Sequence, residues 1–200
     1  ETGFYTILDD VFALRDMDDA ADGGKVKERY NGSGATVRGF NVEGRAAFTR
    51  WFELQAGVTL QQSRYKEPEF WSEDAEVPPV RRMFRTPDTY GYFTASFKPV
   101  RNFTADLSGT CTGSMLVQHM AGSGVAQDVA VSTPSFFDMN IRLSYDVRIY
   151  KEITMQLYGG VQNLFNAYQK DFDKGVDRDS GYIYGPSLPR SWFVGAKFSF

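Results

Sequence analysis

The clearest feature of the chain is a strict alternation of apolar and polar side chains between residues 137 and 149. The apolar series is Phe137, Met139, Ile141, Leu143, Tyr145, Val147 and Ile149. The residues between them are polar or charged: Asp138, Asn140, Arg142, Ser144, Asp146 and Arg148. A period of two places the two series on opposite faces of a β-strand, whereas a helix would scatter both around its circumference. The segment is therefore predicted to be a strand with one apolar and one polar face.

The same period recurs along the chain and predicts about eight strands. They lie at about 3–14, 34–48, 51–65, 89–98, 103–117, 136–150, 153–165 and 190–200. The first is ambiguous, because Asp9 and Asp10 fall on opposite faces. Most of these segments are longer than the roughly 5–6 residues usual in soluble sheets, and a tilted strand needs about 9–11 residues to cross a bilayer. The strand lengths favour a membrane-spanning sheet.

The connections between the predicted strands alternate between short and long. Short turns follow Phe48, Phe97 and Tyr150, whereas long loops cover about 16–30, 66–88, 119–134 and 166–189. Outer-membrane barrels have short periplasmic turns and longer loops on the outer side. The sequence therefore predicts an all-β fold, an antiparallel transmembrane β-barrel. No segment has the composition of a linker, so we expect residues 1–200 to form one unit.

Composition agrees with this fold and excludes several functional classes. Aromatic residues are 16% of the chain and 19 residues are glycine, which suits interfacial aromatic girdles and tight turns. No run of about 18 apolar residues is present, so no transmembrane helix is expected. The net charge of −3 gives no reason to expect a nucleic-acid partner. A single cysteine, Cys111, excludes an intrachain disulfide and a cysteine-based metal site.

Two other folds share the alternation and remain alternatives. One is a soluble carbohydrate-binding β-sandwich, whose strands also have one apolar and one polar face. The other is a free-standing eight-stranded outer-membrane barrel with a structural or adhesive role, because eight strands close a small barrel whose lumen side chains fill.

The final strand favours a barrel. Its apolar residues alternate up to a terminal phenylalanine: Trp192, Val194, Phe198 and Phe200. This pattern resembles the C-terminal signal by which the outer-membrane assembly machinery recognises its clients. An apolar edge strand is suited to pairing with an insertase by strand addition. We expect these four residues to form the assembly signal.

Two C-terminal motifs resemble a known family. The segment 160–168 reads GVQNLFNAY and is similar to the penultimate strand of TonB-dependent outer-membrane receptors, where a Val-x-Asn-Leu-Phe-Asp/Asn-x-Tyr pattern is usual. The segment 184–200 resembles their final strand, in which a Pro-Arg pair precedes a glycine-containing apolar strand that ends on phenylalanine. Weaker resemblances, to receptors of Bacteroidetes-type bacteria in particular, are Val42-Glu43-Gly44 and Arg85-Thr86-Pro87.

The resemblance implies both a larger protein and a function. Barrels of this family have about 22 strands and a plugged lumen. We therefore expect the chain to be the C-terminal part of such a barrel, without the plug domain and the earlier strands. The implied function is active import of a scarce nutrient (siderophore, cobalamin, haem or oligosaccharide) across the bacterial cell outer membrane. The implied partners are outer-membrane lipid, the rest of the receptor, the TonB system acting through the plug, and a surface lipoprotein.

Four residues of the outer loops are candidates for ligand binding. His119 is the only histidine and lies where a predicted strand enters a loop, which suits either a ligand to haem or metal or an interfacial side chain. Trp71, Tyr182 and Tyr184 lie in or beside long loops, where aromatic rings stack on planar ligands or rest among lipid headgroups. A single histidine without cysteines is a poor metal site, so neither a metal nor a cofactor is expected.

The loop 171–179 carries aspartates at alternate positions and partly imitates a calcium-binding loop. It departs from that pattern, because Gly175 replaces a ligand, Val176 replaces the turn glycine, and nearby cations such as Lys174 would repel the ion. We therefore expect a solvated loop with internal ion pairs. No Gly-x-Ser-x-Gly elbow or other catalytic arrangement is present, so the protein is not expected to be an enzyme.

Overall fold

The computed structural model describes residues 1–17, 26–186 and 188–200. The strands in these residues are β1 (Thr2–Leu8), β2 (Phe12–Met17), β3 (Val26–Asn31), β4 (Ala35–Thr49), β5 (Phe52–Glu69), β6 (Val80–Arg82), β7 (Thr89–Val100), β8 (Phe103–Thr112), β9 (Leu116–His119), β10 (Val129–Ser132), β11 (Phe136–Tyr150), β12 (Ile153–Gln162) and β13 (Ser191–Ser199). Within this described part there is no helix of the length and apolarity needed to span a membrane.

Eight long strands form one antiparallel sheet in the order β1-β4-β5-β7-β8-β11-β12-β13, with the short β6 against β5. Each long strand between β1 and β13 pairs with the long strands before and after it in the chain, as in an up-and-down barrel wall. The predicted fold of about eight long antiparallel strands is confirmed. In the described residues β1 pairs only with β4 and β13 only with β12, and a free-standing barrel would need these two strands to pair with each other.

The register of the sheet places the apolar residues of successive strands side by side on one face, here called the apolar face. Ile141 of β11, for example, lies between Leu107 of β8 and Val161 of β12. Large side chains of this face are exposed: Phe40, Val58, Leu60, Phe137, Leu143, Tyr145, Leu157, Trp192, Val194 and Phe198. Because these side chains are exposed, no second sheet of the described residues packs on this face, as the sandwich alternative would require.

The opposite face, here called the polar face, carries hydrogen bonds between side chains of different strands. Tyr92 Oη on β7 donates to Glu43 Oε1 on β4 at 2.6 Å. Farther along the sheet, Arg142 Nη2 donates to Gln156 Oε1 at 3.3 Å, and Gln156 Nε2 donates to Asp146 Oδ1 at 2.9 Å. Such mutually paired polar groups are typical of the water-facing lumen of a membrane barrel.

The two ends of the sheet have different connections. At one end the turns contain two residues each: Arg50-Trp51, Arg101-Asn102 and Lys151-Glu152. At the other end, called the long-loop end, the connections include two antiparallel ribbons, β2 with β3 and β9 with β10. These ribbons extend into segments 16–30 and 119–134, which the sequence predicted as loops, because such short strands lack a long alternation. Residues 18–25 of the first loop, and Ser187 of loop 166–189, lie outside the described residues.

The buried core lies at the long-loop end. It consists of Val117, Phe136, Tyr182 and Tyr184, with Met115, Val131 and Ala167 packed against them. Phe136 has the parity of the polar face, and its ring centroid lies 5.8 Å from that of Tyr184. Loop 163–190, which joins β12 to β13, therefore folds over the polar face at this end of the sheet.

Candidate functional site

Loop 163–190 is closed at its base by Asn163, the asparagine of the GVQNLFNAY segment. Asn163 has φ of 49°, a left-handed conformation that asparagine adopts more readily than most residues. Its Nδ2 donates to the carbonyl oxygens of Ala167 at 2.9 Å and Leu188 at 2.8 Å, and its Oδ1 accepts from the Ala167 N–H at 2.7 Å. One buried side chain thus joins the beginning of the loop to its end.

Gln169 holds the middle of the loop in the same way. Its side chain is 1% exposed. Its Nε2 donates to the carbonyl oxygen of Tyr182 at 3.0 Å, and its Oε1 accepts from the Tyr184 N–H at 2.9 Å. Because the buried amide uses both its donor and its acceptor groups, it is stabilising in this position and fixes the backbone of both tyrosines.

The two candidate tyrosines direct their hydroxyl groups to one carboxylate. Tyr182 Oη donates to Asp171 Oδ2 at 2.8 Å, and Tyr184 Oη donates to Asp171 Oδ1 at 2.7 Å. Burial and the bond to Asp171 raise the pKa of Tyr184 to about 12, and the same causes raise the pKa of Tyr182 far above its ordinary range. For Asp171, partial burial favours a higher pKa, but the tyrosine hydroxyls outweigh it and lower the pKa. At neutral pH both phenols are protonated and the carboxylate is ionised.

His119 is buried beside the same tyrosines. Its ring is parallel to that of Tyr182, with 3.7 Å between the centroids and 4° between the planes. Its Nε2 lies 2.9 Å from Asp173 Oδ1, while the backbone N–H of Asp179 donates to Asp173 Oδ2 at 3.0 Å. The Asp179 N–H is the main cause that lowers the pKa of Asp173, and His119 adds to it against the effect of burial.

These contacts define the loop cluster, which consists of His119, Asp171, Asp173, Tyr182 and Tyr184. The structure thus brings three of the four candidate ligand-binding residues together. Trp71 lies in the neighbouring connection between β5 and β7, where its Nε1 donates to the carbonyl oxygen of Pro78 at 3.3 Å. Its ring packs edge-on against Phe84, 5.3 Å away between centroids. Binding of a ligand by these four residues stays a prediction.

Most residues of the segment 171–179 are exposed, as the sequence predicted, whereas Asp173 and Asp179 are partly buried. Asp179 Oδ2 accepts from the N–H of Met120, in the connection between β9 and β10, at 2.8 Å. Asp179 Oδ1 accepts from the N–H of Gly181, within the same loop, also at 2.8 Å. Among the described residues, no group of three or more His, Cys, Asp or Glu side chains is arranged to hold a metal ion. What the loop cluster does chemically is to tie the loop to the sheet.

The sequence did not identify Arg85 as a residue that holds loop 163–190 in place. Arg85 has φ of 58° and lies in the connection between β5 and β7. Its guanidinium donates to the carbonyl oxygens of Ile183, at 2.9 Å, and of Gly181. The only signal in the sequence was the resemblance of Arg85-Thr86-Pro87 to the receptor family, which gave no indication of a contact almost one hundred residues away.

The four residues of the predicted assembly signal lie on or directly after β13. Trp192, Val194 and Phe198 belong to the apolar face and are exposed, Val194 to 90%, and Phe200 is exposed to 95%. Their role in assembly stays a prediction.

Comparison with known proteins gives structural matches and no sequence match. No family model and no curated protein matches the chain. The closed form of the ferric-catecholate import receptor Fiu from E. coli K12 has a TM-score of 0.63 and 19% identity, over 97% of this chain and 24% of that one. A G324V mutant of the ferric enterobactin receptor PfeA from Pseudomonas aeruginosa has a TM-score of 0.63 and 15% identity, over 97% and 27%. The open form of Fiu has a TM-score of 0.53 and 19% identity, over 85% and 22%.

The chain therefore spans about a quarter of the length of these receptors (24% and 27% for the first two). At such identities the match concerns the fold. The fold expected from the resemblance to TonB-dependent outer-membrane receptors, a part of their barrel, is confirmed.

Proposed function

We propose that the chain is the C-terminal part of the barrel of a TonB-dependent outer-membrane receptor that imports a scarce nutrient. The observation that supports this most strongly is the contrast between the two faces of one sheet. The apolar face exposes large side chains across the sheet, including Phe40, Leu143 and Val194. Contiguous apolar surfaces of this kind require a cover, and hydrocarbon covers the outside of membrane barrels.

The short-turn end of the sheet supports a position at a membrane interface. Phe48, Trp51, Phe52 and Phe97 form a continuous aromatic group there, with centroid distances of 5.4 Å for Phe48–Phe52, 6.3 Å for Trp51–Phe97 and 4.6 Å for Phe52–Phe97. Tryptophan and other aromatic side chains are enriched at the level of the headgroups, where they form the girdles of membrane barrels. In this proposal the short turns face the periplasm and the loop cluster faces the outside.

The remaining partners would meet different parts of the sheet. β1 pairs with a preceding strand of the full barrel, and β13 pairs with its first strand. The polar face lines the lumen and faces the plug, through which the TonB system supplies energy. A surface lipoprotein would meet the long-loop end. No step of this function requires a reaction, so the chain acts in transport and not as an enzyme.

A ferric catecholate siderophore is the first cargo to test, ahead of cobalamin, haem and oligosaccharides. The two similar receptors carry ferric catecholate and ferric enterobactin in their names. The loops that would meet such a cargo carry exposed aromatic side chains, among them Phe70 and Phe172. Aromatic rings of this type stack on planar ligands.

The test is growth of a strain from which the full-length gene has been deleted, with each candidate nutrient supplied as the sole source. Loss of growth on ferric catecholate, restored by the intact gene, is the expected result. Loss on cobalamin, haem or an oligosaccharide instead would keep the receptor function and reject the siderophore. Unchanged growth and unchanged uptake of all four nutrients would overturn the proposal.

A further inference from the structure

Two outer segments that are far apart in the sequence are bonded to each other along their length. The first is the tip of the β9–β10 ribbon, residues 120–128, here called the ribbon tip; the second is loop 163–190. Met120 N–H donates to Asp179 Oδ2 at 2.8 Å. Ser123 N–H donates to the Asp177 carbonyl oxygen at 2.9 Å, and Ser123 Oγ donates to the Lys174 carbonyl oxygen at 2.6 Å.

Asp173 lies at the centre of this contact. Its side chain is 4% exposed and uses one oxygen for His119 and the other for the Asp179 N–H. His119 ends β9 and so directly precedes the ribbon tip. If the two segments separated, the buried imidazole of His119 would lose its bond to Asp173, and the buried carboxylate would keep only the Asp179 N–H of its own loop. Such a loss is costly in an environment of low polarity.

Gly124 shows how closely the backbone of the ribbon tip approaches this carboxylate. A Cβ atom at position 124 would overlap with the carboxylate of Asp173. Since Asp173 is held from two sides, it cannot turn away without losing a hydrogen bond. A side chain at position 124 would therefore push the two segments apart.

The connection between β5 and β7 is also bonded to these segments. Ser72 Oγ donates to Asp128 Oδ2 at 2.7 Å, and the second oxygen of Asp128 accepts from the Ala121 N–H at 2.7 Å. Together with the contacts of Arg85 to loop 163–190, these bonds link three of the long connections.

We infer that the ribbon tip and loop 163–190 open and close as one unit, which Asp173 holds together. Segments that share buried contacts unfold locally as a cooperative unit, whereas separate loops open independently. The inference deepens the proposed function and rests on it in one respect, since the unit would form the outer mouth of the receptor. The bonding itself is independent of any cargo.

The test is hydrogen exchange of the full-length protein in detergent micelles, followed at the amides of Met120 and Ser123 in the ribbon tip and of Tyr184 in loop 163–190, whose N–H donates to Gln169 and not to Asp173. In the unmodified protein we expect these amides to share one opening rate and one dependence on denaturant. Asp173→Ala should raise exchange in both segments together, by about tenfold or more. Gly124→Ala should do the same from the opposite side of the contact.

Two further variants test whether the effect comes from the bond between His119 and Asp173. His119→Phe keeps a ring against Tyr182 but removes the bond to Asp173, so it should give a smaller rise than Asp173→Ala that is again equal in both segments. Asp74→Ala is the control, because the Asp74 carboxylate accepts from the Glu76 N–H, within its own loop, at 2.9 Å. It should leave both segments unchanged.

The inference is overturned if Asp173→Ala raises the exchange rate of amides in loop 163–190 while the exchange rates of Met120 and Ser123 stay unchanged. Different opening rates for the two segments in the unmodified protein would overturn it as well, even if the variants failed to assemble. A negative growth test would reject the proposed function and leave a shared opening rate intact, so the two failures are distinguishable.

Discussion

The ring of His119 lies flat against the ring of Tyr182, with 3.7 Å between their centroids. This contact joins the end of β9 to loop 163–190, and both side chains are buried at the long-loop end. Although most of the segment 171–179 is exposed, as expected, the loop that contains it is therefore anchored to the folded structure. Its closed form depends on buried side chains.

Tyr182→Ala should loosen loop 163–190. The substitution removes the ring against His119 and the hydroxyl bond to Asp171, and truncation of a buried aromatic residue costs about 3–5 kcal/mol. We expect trypsin to cleave faster after Lys174 or Arg178 in the folded protein. Tyr182→Phe, which keeps the ring, should be intermediate, and the half-exposed Tyr168 gives a control in Tyr168→Ala. Equal cleavage of all variants would contradict this role of Tyr182.

Ile141→Arg should destabilise the assembled protein by about 2–4 kcal/mol if its depth is near the bilayer midplane. The residue lies on the apolar face at the middle of β11, between Leu107 and Val161. The measurement is unfolding by denaturant in lipid vesicles. Thr110→Arg is the control, because Thr110 is exposed on the polar face and pairs with Asp138 of β11. Similar losses for both variants would show that the two faces are assigned wrongly.

Phe198→Ser should lower the fraction of protein that assembles in the membrane. Phe198 lies on the apolar face of β13, opposite Met155, and belongs to the predicted assembly signal. Lys197→Ser changes the adjacent residue, which lies on the polar face opposite Gln156, and should assemble normally. Assembly is measured by the faster gel migration of the folded form before heating. If Lys197→Ser lowered the assembled fraction as much as Phe198→Ser, the role of Phe198 in the assembly signal would be contradicted.

Loop 163–190 should stay closed down to acidic pH. The pKa of Asp173 is lowered by the Asp179 N–H and, less strongly, by His119. A carboxylate whose pKa is lower in the folded state stabilises that state above its unfolded pKa, about 3.9 for Asp, and loses the effect as the pH falls through the folded value. The groups that face it are His119 and the Asp179 backbone, with Asp171 nearby.

The corresponding measurement is exchange of the Asp179 amide, corrected for its intrinsic rate, from neutral pH to about pH 3. Protection should persist to about pH 4 and fall below it. Asp173→Asn cannot ionise and should lack this loss. Loss of protection already between about pH 7 and pH 5 would contradict the assignment to Asp173.

The extent to which the sequence predicted the structure differs between sheet and loops. In β11 the environment on each face imposes a period of two, so the faces of Ile141 and Arg142 could be predicted from the chain alone. The sequence also identified His119, Tyr182 and Tyr184 as candidates. It could not predict that His119 meets Asp173, because these residues are 54 positions apart and no periodic pattern connects them. Asn163 was part of a recognised motif, but its role in closing the loop required the backbone geometry.

The central claim is that hydrocarbon covers the apolar face. Its most direct test is the accessibility of spin labels placed one at a time at residues 137–149 of the full-length protein in bilayers, with Cys111→Ser as the background. We predict high accessibility to oxygen at the odd positions, such as Ile141 and Leu143, and contact with a water-soluble nickel complex at exposed even positions such as Arg142. Access of the nickel complex to the odd positions, or equal accessibility at both parities, would contradict the account.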